Sequence, residues 1–312
     1  MKISKPIFWK TKNLISFLLF PFSLMVILII YLKSKFIKSI KFKIPVICVG
    51  NIYIGGTGKT PLSIFLAEEL RNKGKNPAII RKYYKSHYDE HKMIKDKFKN
   101  LILNKNRTNG IYDAINNNFN LAILDDGFQD QKIFKKISIL CFNQSQKIGN
   151  GMVIPSGPLR ESFRALKNAQ FVIINGKRDL DFENKILDTN KTISIFYSRY
   201  IPLGIDHLKN KNLFAVAGIG NPENFFNLLL ENDLKISKKF IFPDHYEFNK
   251  TEFLTIIKQA EENNCKVVMT EKDYHRIKKY NFDGIEYLKL KLEIDNKDKL
   301  ITKIFENLNE NN

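Results

Sequence analysis

The sequence predicts an α/β protein. A mostly parallel sheet covered by helices comes first, a second and smaller α/β domain follows, and an apolar helix precedes both. Three observations carry this expectation. Short apolar runs such as KIPVICVGN, FNLAILDD and QFVIIN alternate with stretches of helical periodicity, as strands buried on both faces do. The same alternation restarts after Lys211 with LFAVAG. The stretch Asn13 to Leu32 is twenty residues without a charge.

Taken in order, the Asn13 to Leu32 run would make a helix about 30 Å long, close to the hydrocarbon thickness of a bilayer. Lysines flank it on both sides, Lys10 and Lys12 before, Lys33 and Lys35 after, so the positive-inside rule gives no orientation. No small-residue cleavage site follows the run, which argues against a secretory signal peptide. It either spans the membrane or lies in one leaflet; the remaining alternative is a buried core helix.

Lys43 to Asn51 reads as a strand, and TPLSIFLAEELRNKG as a helix starting near Pro61 and ending near Gly74. Strand Asn76 to Ile80, a polar loop containing YYKSHYDEHK, and a helix past Met93 come next. Strands follow at Phe119 to Asp126, Ile137 to Asn143 and Gln170 to Asn175. Beyond Lys211 the strands are Leu213 to Gly218, Cys265 to Thr270 and Tyr287 to Ile294, and a helix runs through Thr302 to Leu308. Three segments result: 1–42 associates with the membrane, 43–205 binds nucleotide, and 206–312 forms the smaller domain.

Composition narrows the function. There are 51 Lys plus Arg against 32 Asp plus Glu, a net charge of +19 that favours anionic partners, either lipid or a phosphorylated substrate. The lysines are scattered and form no arginine-rich tract, so nucleic acid is not an expected partner. Three distant cysteines and five histidines show no C-x-x-C, H-E-x-x-H or zinc-ligand spacing. No disulfide and no bound transition metal are expected.

GNIYIGGTGKTP, Gly50 to Pro61, is a phosphate-binding loop between a strand and a helix. Tyr53, Ile54, Gly55, Gly56, Thr57 and Gly58 would wrap backbone N–H groups around phosphate oxygens. Lys59 would reach the outer phosphates, and the Thr60 hydroxyl could ligate Mg²⁺. The strict pattern is broken only at Tyr53, where glycine is usual. The fold expectation thus sharpens to a P-loop NTPase-like sheet. Such a loop needs a carboxylate at a neighbouring strand end to hold the cation, and Asp125 and Asp126 supply two.

With DDGFQ (Asp125 to Gln129), PSGPLRE (Pro155 to Glu161), AGIGNP (Ala217 to Pro222), the pair Asp244 and His245, and TEKD (Thr270 to Asp273), the chain resembles the tetraacyldisaccharide 4'-kinase family. These pieces stand in family order across nearly the whole chain. The resemblance implies ATP and Mg²⁺ as cofactors and transfer of the γ-phosphoryl group to the 4'-hydroxyl of an acylated glucosamine disaccharide 1-phosphate in lipid A biosynthesis. It places the enzyme at the bacterial inner membrane with its catalytic body on the cytoplasmic face, and it implies no obligatory protein partner. It offers Asp89 and His245 as a catalytic pair beside Lys59, and Arg81 as a substrate contact. Arg160 either positions a substrate phosphate or closes an internal salt bridge, and Asp273 is a candidate adenine or hinge contact. The loop around Asp89 departs from the family pattern: RKYY at Arg81 to Tyr84 lacks two usual glycines, and Tyr88 and His91 stand where glycine and proline are usual. The competing function is a membrane-anchored P-loop NTPase that drives transport or assembly.

Overall fold

The computed structural model describes residues 6–84, 88–244 and 246–310, with only the backbone of 88–90. The described residues divide into two compact units, a larger one of 6–84, 94–199 and 292–310, and a smaller one of 88–93, 200–244 and 246–291.

The larger unit is built on seven strands, β1 (Val46–Gly50), β2 (Pro77–Lys82), β3 (Leu101–Asn104), β4 (Leu121–Asp125), β5 (Ile137–Asn143), β6 (Phe171–Asn175) and β7 (Ser194–Leu203). Their spatial order is β3-β2-β4-β1-β5-β6-β7, every neighbouring pair parallel. Strand β1 lies between β4 and β5, with Val46 opposite Ala122 and Ile47 opposite Ile137. All residues of β1, β4 and β5 are buried, which is why these segments are apolar throughout rather than alternating. The central strands end on the side where β1 gives way to the glycine loop and β4 to the two aspartates, so both motifs lie at carboxyl ends of adjacent strands.

The apolar run forms α1 (Leu14–Phe36), capped by Asn13, whose side chain accepts the Ser16 N–H. An 18-residue window of it has a mean hydropathy of 2.6 with 11% of the window buried, and the helix is long and apolar enough to cross a membrane. Helices α2 (Lys59–Asn72), α4 (Arg107–Asn116) and α5 (Leu180–Thr189) cover the sheet. Helix α3 (Tyr88–Lys97) starts earlier than expected, within the segment read as a polar loop. Helix α9 (Lys297–Asn309) also belongs to the larger unit, burying Leu300, Ile301 and Ile304 and contacting β5.

In the smaller unit the order is β11 (Ile285–Ile294), β10 (Cys265–Thr270), β8 (Asn212–Ala217), β9 (Lys235–Ile241), again parallel between neighbours. Alternate residues of β8 feed two cores. Leu213, Ala215 and Ala217 pack with Phe225, Phe226 and Leu229 of α6 (Pro222–Glu231). Phe214 and Val216 pack with Phe253 and Ile256 of α7 (Lys250–Glu262). Helix α8 (Glu271–Ile277) follows β10 directly.

Candidate active site

The loop after β1 turns back on itself around Asn51. The fully buried Asn51 amide donates to the Gly55 carbonyl at 3.2 Å and to Thr57 Oγ1 at 2.9 Å. Gly58 closes the loop at φ 88° as the N-cap of α2, a left-handed conformation that a Cβ would oppose. The first turn of α2 then presents Lys59 and Thr60, with free backbone N–H groups and the positive end of the helix dipole facing the loop. Tyr53, the departure from the strict motif, is buried in the core, and its backbone bridges to Leu159. Burial raises its phenol above the ordinary value. A residue that packs replaces one that only turns.

The segment Pro158 to Arg160 braces this loop from outside. Ile54 N–H donates to the Pro158 carbonyl at 2.9 Å, and Arg160 N–H donates to the Ile52 carbonyl at 2.7 Å. The Arg160 side chain is thereby aimed at Asp126, to which its Nη1 donates at 2.9 Å. The salt bridge anticipated as one of two roles is formed, and it lies within the site itself.

The two aspartates face different partners. Asp125 ends β4, is fully buried, and accepts from Thr60 Oγ1 at 2.9 Å, Ser63 Oγ at 3.3 Å and Arg81 Nη1 at 2.5 Å. Arg81 Nη1 also donates to Thr60 Oγ1 at 2.9 Å. Asp126 has a left-handed backbone, φ 60°, which turns its carboxylate towards Lys59 Nζ at 3.6 Å. Burial would raise the Asp126 carboxyl, but Lys59, Arg160 and Arg107 outweigh it and hold it below the ordinary carboxylate value.

Arg107 is a residue that the sequence reading missed. It stands in LILNKNRTNG, a stretch that reads as a solvated loop, yet it starts α4, donates to the Asp126 carbonyl at 2.5 Å and pairs with Asp130 at 3.8 Å. The signal was present in Asn106, whose side chain accepts the Thr108 N–H as a helix cap. Gln129 was also missed; its amide donates to the Asn51 carbonyl at 2.8 Å and so steadies the phosphate loop from the DDGFQ side.

A cavity of about 720 Å³ opens beside Asp126. Gln129, Arg160 and Glu161 line it, as do Ile30 and Lys33 from the C-terminal part of α1 and Ile37 just beyond it. Burial raises the Glu161 carboxyl, an effect that Lys135 and Gln129 partly offset.

Asp89 lies in the first turn of α3, with its side chain outside the described residues, and His245 lies outside them altogether. Asp273 is fully buried and locked in place. It accepts from Gly218 N–H at 2.8 Å, Thr270 Oγ1 at 2.6 Å and Arg276 Nη1 at 2.6 Å, with Thr270 capping α8 in return. A side chain so engaged holds AGIG to TEKD.

Residues 15–309 match the family model described as tetraacyldisaccharide-1-P 4'-kinase. The chain belongs to this family. A tetraacyldisaccharide 4'-kinase of Pelagibacter ubique (strain HTCC1062) is 41% identical over the whole of both chains. That of Rickettsia bellii (strain OSU 85-389) is 33% identical over 98% of this chain and 99% of its own. The fold is that of the crystal structure of LpxK from Aquifex aeolicus in complex with ATP, with a TM-score of 0.73 and 22% identity over 95% of this chain and 100% of that one. Among members of the tetraacyldisaccharide 4'-kinase family, this chain pairs a phosphate loop with a DDGFQ segment at adjacent strand ends.

Proposed function

We infer that this chain is the kinase its family name describes, transferring the γ-phosphoryl group of ATP to the 4'-hydroxyl of a tetraacylated disaccharide 1-phosphate at a membrane surface. One observation carries the reading: a single cavity is lined both by Asp126, at the phosphate loop, and by residues of the apolar helix α1. A phosphate-transfer centre and a lipid-facing element share one chamber, as an acylated acceptor requires.

The donor set fits Mg²⁺, since Thr60 Oγ1 and the Asp125 carboxylate are hard oxygen ligands 2.9 Å apart at the mouth of the phosphate loop. When bound, the cation would neutralise charge on the transferring phosphoryl group. Lys59 neutralises the outer phosphate oxygens, and the backbone N–H groups of Gly55 to Thr60 bind the inner ones. Asp126, turned to Lys59 and Arg160, orients both cations towards the phosphoryl group. Asp89 and His245 are the pair we assign to holding and relaying the acceptor proton. This assignment follows the family motif positions.

The bacterial inner membrane and its cytoplasmic face suit the reaction, because ATP is cytoplasmic and the acceptor is anchored in lipid. Insertion of α1 in one leaflet is favoured over a span. Ser16 and Ser23 are buried, and Ile30, seven residues further, receives Gln131 Nε2 through its carbonyl at 3.5 Å. Positions 16, 23 and 30 share one face, which lies along the body for most of the helix. A helix so held offers its other faces to lipid sideways.

The test is purified full-length protein in mixed micelles with Mg-ATP and the lipid acceptor, product followed by mass. One added phosphate, absent in Lys59→Ala, is the expected outcome. ATP consumption that proceeds equally without acceptor would instead support a membrane-anchored NTPase.

A further inference from the structure

The turn after β4 carries Asp126 and Gln129, and its inner side is packed without slack. A Cβ on Gly50 would meet the Phe128 Cβ at 2.4 Å, and one on Gly127 would meet the Leu124 Cβ at 2.8 Å. Asp126 N–H donates to the Val49 carbonyl at 2.9 Å, and Asp130 N–H to the Gly127 carbonyl at 3.1 Å. The carbonyls of Phe128 and Asp130, on either side of Gln129, are both taken by one side chain. Lys135 Nζ donates to Phe128 at 2.8 Å and to Asp130 at 2.7 Å.

Lys135 stands in KIFKKIS, just ahead of β5 and outside the motifs that point to phosphate chemistry. Its neighbours fix its backbone: Phe134 N–H donates to the Ile40 carbonyl at 2.9 Å, and Lys136 N–H to the Val46 carbonyl at 2.9 Å. The side chain is half-buried, with Nζ 5.8 Å from the centre of the Phe128 ring. Burial pushes its pKa below the ordinary lysine value, while Cys48, Asp130 and Glu161 act in the opposite sense.

We propose that Lys135 is a positioning residue for phosphoryl transfer, gripping the backbone on both sides of Gln129 so that the turn keeps the phosphate loop in its binding shape. This rests on the kinase reading above. The links are continuous. Lys135 holds the two carbonyls, the Gln129 amide donates to the Asn51 carbonyl at 2.8 Å, and the Asn51 amide donates to Gly55 and Thr57 of the phosphate loop at 3.2 and 2.9 Å. The same turn sets Asp126 opposite Lys59 at 3.6 Å. Lys135 needs no contact with nucleotide or acceptor. Without its two bonds the turn can relax, and a displacement of about 1 Å close to reacting atoms can slow a reaction by about 10²-fold.

Lys135→Met keeps the length of the side chain and its contact with Phe128 but has no donor. With the lipid acceptor in mixed micelles, its kcat should fall by about 10- to 100-fold at an unchanged acceptor KM, and Mg-ATP should bind about tenfold more weakly in calorimetry. Lys135→Arg, which keeps the donors, should retain both. Gln129→Met should show the same two losses, and adding Lys135→Met to it should take away little more, since both act in one series. A Lys135→Met protein with a lower Tm but wild-type kcat and Mg-ATP affinity below its transition overturns the proposal and leaves Lys135 a stability group. Losses that multiply in the double variant overturn it too. If Lys135→Met does not fold, Lys135→Gln, too short to reach both carbonyls, takes its place: reduced kcat and Mg-ATP affinity support the role, and wild-type values overturn it. A wild type that phosphorylates no acceptor overturns the kinase reading alone, and the Mg-ATP affinities of the same variants then decide the role of Lys135.

Discussion

Asp125 and Asp126 are adjacent and chemically identical, yet their surroundings assign them different work. Asp125 is fully buried among Thr60, Ser63 and Arg81, so Asp125→Ala takes the carboxylate away from a guanidinium that is itself largely buried. Breaking such a pair costs about 3–5 kcal/mol, and thermal unfolding should show a large fall in Tm along with loss of activity. The Asp126 side chain is 32% exposed, so Asp126→Ala should cost only about 1 kcal/mol or less while still abolishing phosphoryl transfer. Because its folded pKa lies below the unfolded one, Asp126 contributes stability above the ordinary carboxylate pKa and loses it as pH falls through the lowered value. The Tm difference between wild type and Asp126→Asn should therefore shrink on acidification; a difference constant with pH would contradict the assigned ion pairs. For the proposed Asp89 and His245 pair, each alanine variant should slow kcat by about 10²–10⁴-fold, with a double mutant far from multiplicative. Independent, multiplying effects would dismiss the pair. At this scale the spacing of glycines, Lys59, Thr60 and the aspartates is legible without coordinates, because phosphate chemistry restricts residue type. Asn106 marks the start of α4, but nothing local aims Arg107 at Asp126, 19 positions on, and no local pattern encodes the bond that joins Gln129 to Asn51 across 78 positions.

Among the elements, α1 shows where hydropathy informs and where it misleads. The absence of charge announced a lipid-facing helix, but hydropathy averages over faces and concealed its seam of serines. Ser23 Oγ donates to the Val153 carbonyl at 2.7 Å and meets Ser156 Oγ at 2.7 Å, while Ser16 receives the Asn150 amide at 3.2 Å. Trp9 Nε1 donates to the Pro155 carbonyl at 3.0 Å in the same loop. That loop, Asn150 to Arg160, therefore holds the helix on one side and the phosphate loop on the other. Ser16→Leu with Ser23→Leu would leave the partner groups unsatisfied at about 1–3 kcal/mol each while making the helix more apolar. Vesicle binding should persist or strengthen, and turnover on the lipid acceptor should fall. If turnover is unaffected, the seam is only an attachment. Deleting residues 1–33 should leave the nucleotide-binding body folded by near-ultraviolet circular dichroism, because Ser16 and Ser23 alone of α1 are buried, and should end vesicle binding.

The whole molecule departs furthest from a linear reading. Apolar runs and glycine turns report each strand and helix where it occurs, which is why the α/β class and the parallel sheet follow from sequence. They carry no record of which unit an element joins. The chain leaves the larger unit after Arg199 and comes back at Leu292, so α9, at the far end of the chain from the phosphate loop, completes the unit that contains it. The return is sealed by apolar and polar contacts. Leu300, Ile301 and Ile304 are buried, Lys297 pairs with Glu69 of α2 at 3.3 Å, and Lys303 donates to Ser194 of β7 at 2.8 Å. Each buried aliphatic side chain is worth about 1.5–3 kcal/mol, and a domain has only about 5–15 kcal/mol to lose. Removing residues 296–312 should therefore unfold the nucleotide-binding unit, with loss of ATP binding in calorimetry, although α9 supplies no group to the phosphate loop. Leu300→Ala with Ile304→Ala should lower Tm in the same direction while ATP still binds below the transition. If the truncated protein instead keeps its Tm and its ATP affinity, α9 is an appendage and the larger unit is complete by Arg199. The smaller unit should hold its near-ultraviolet signal in that truncation, since β8, β10 and β11 draw their two cores from α6 and α7.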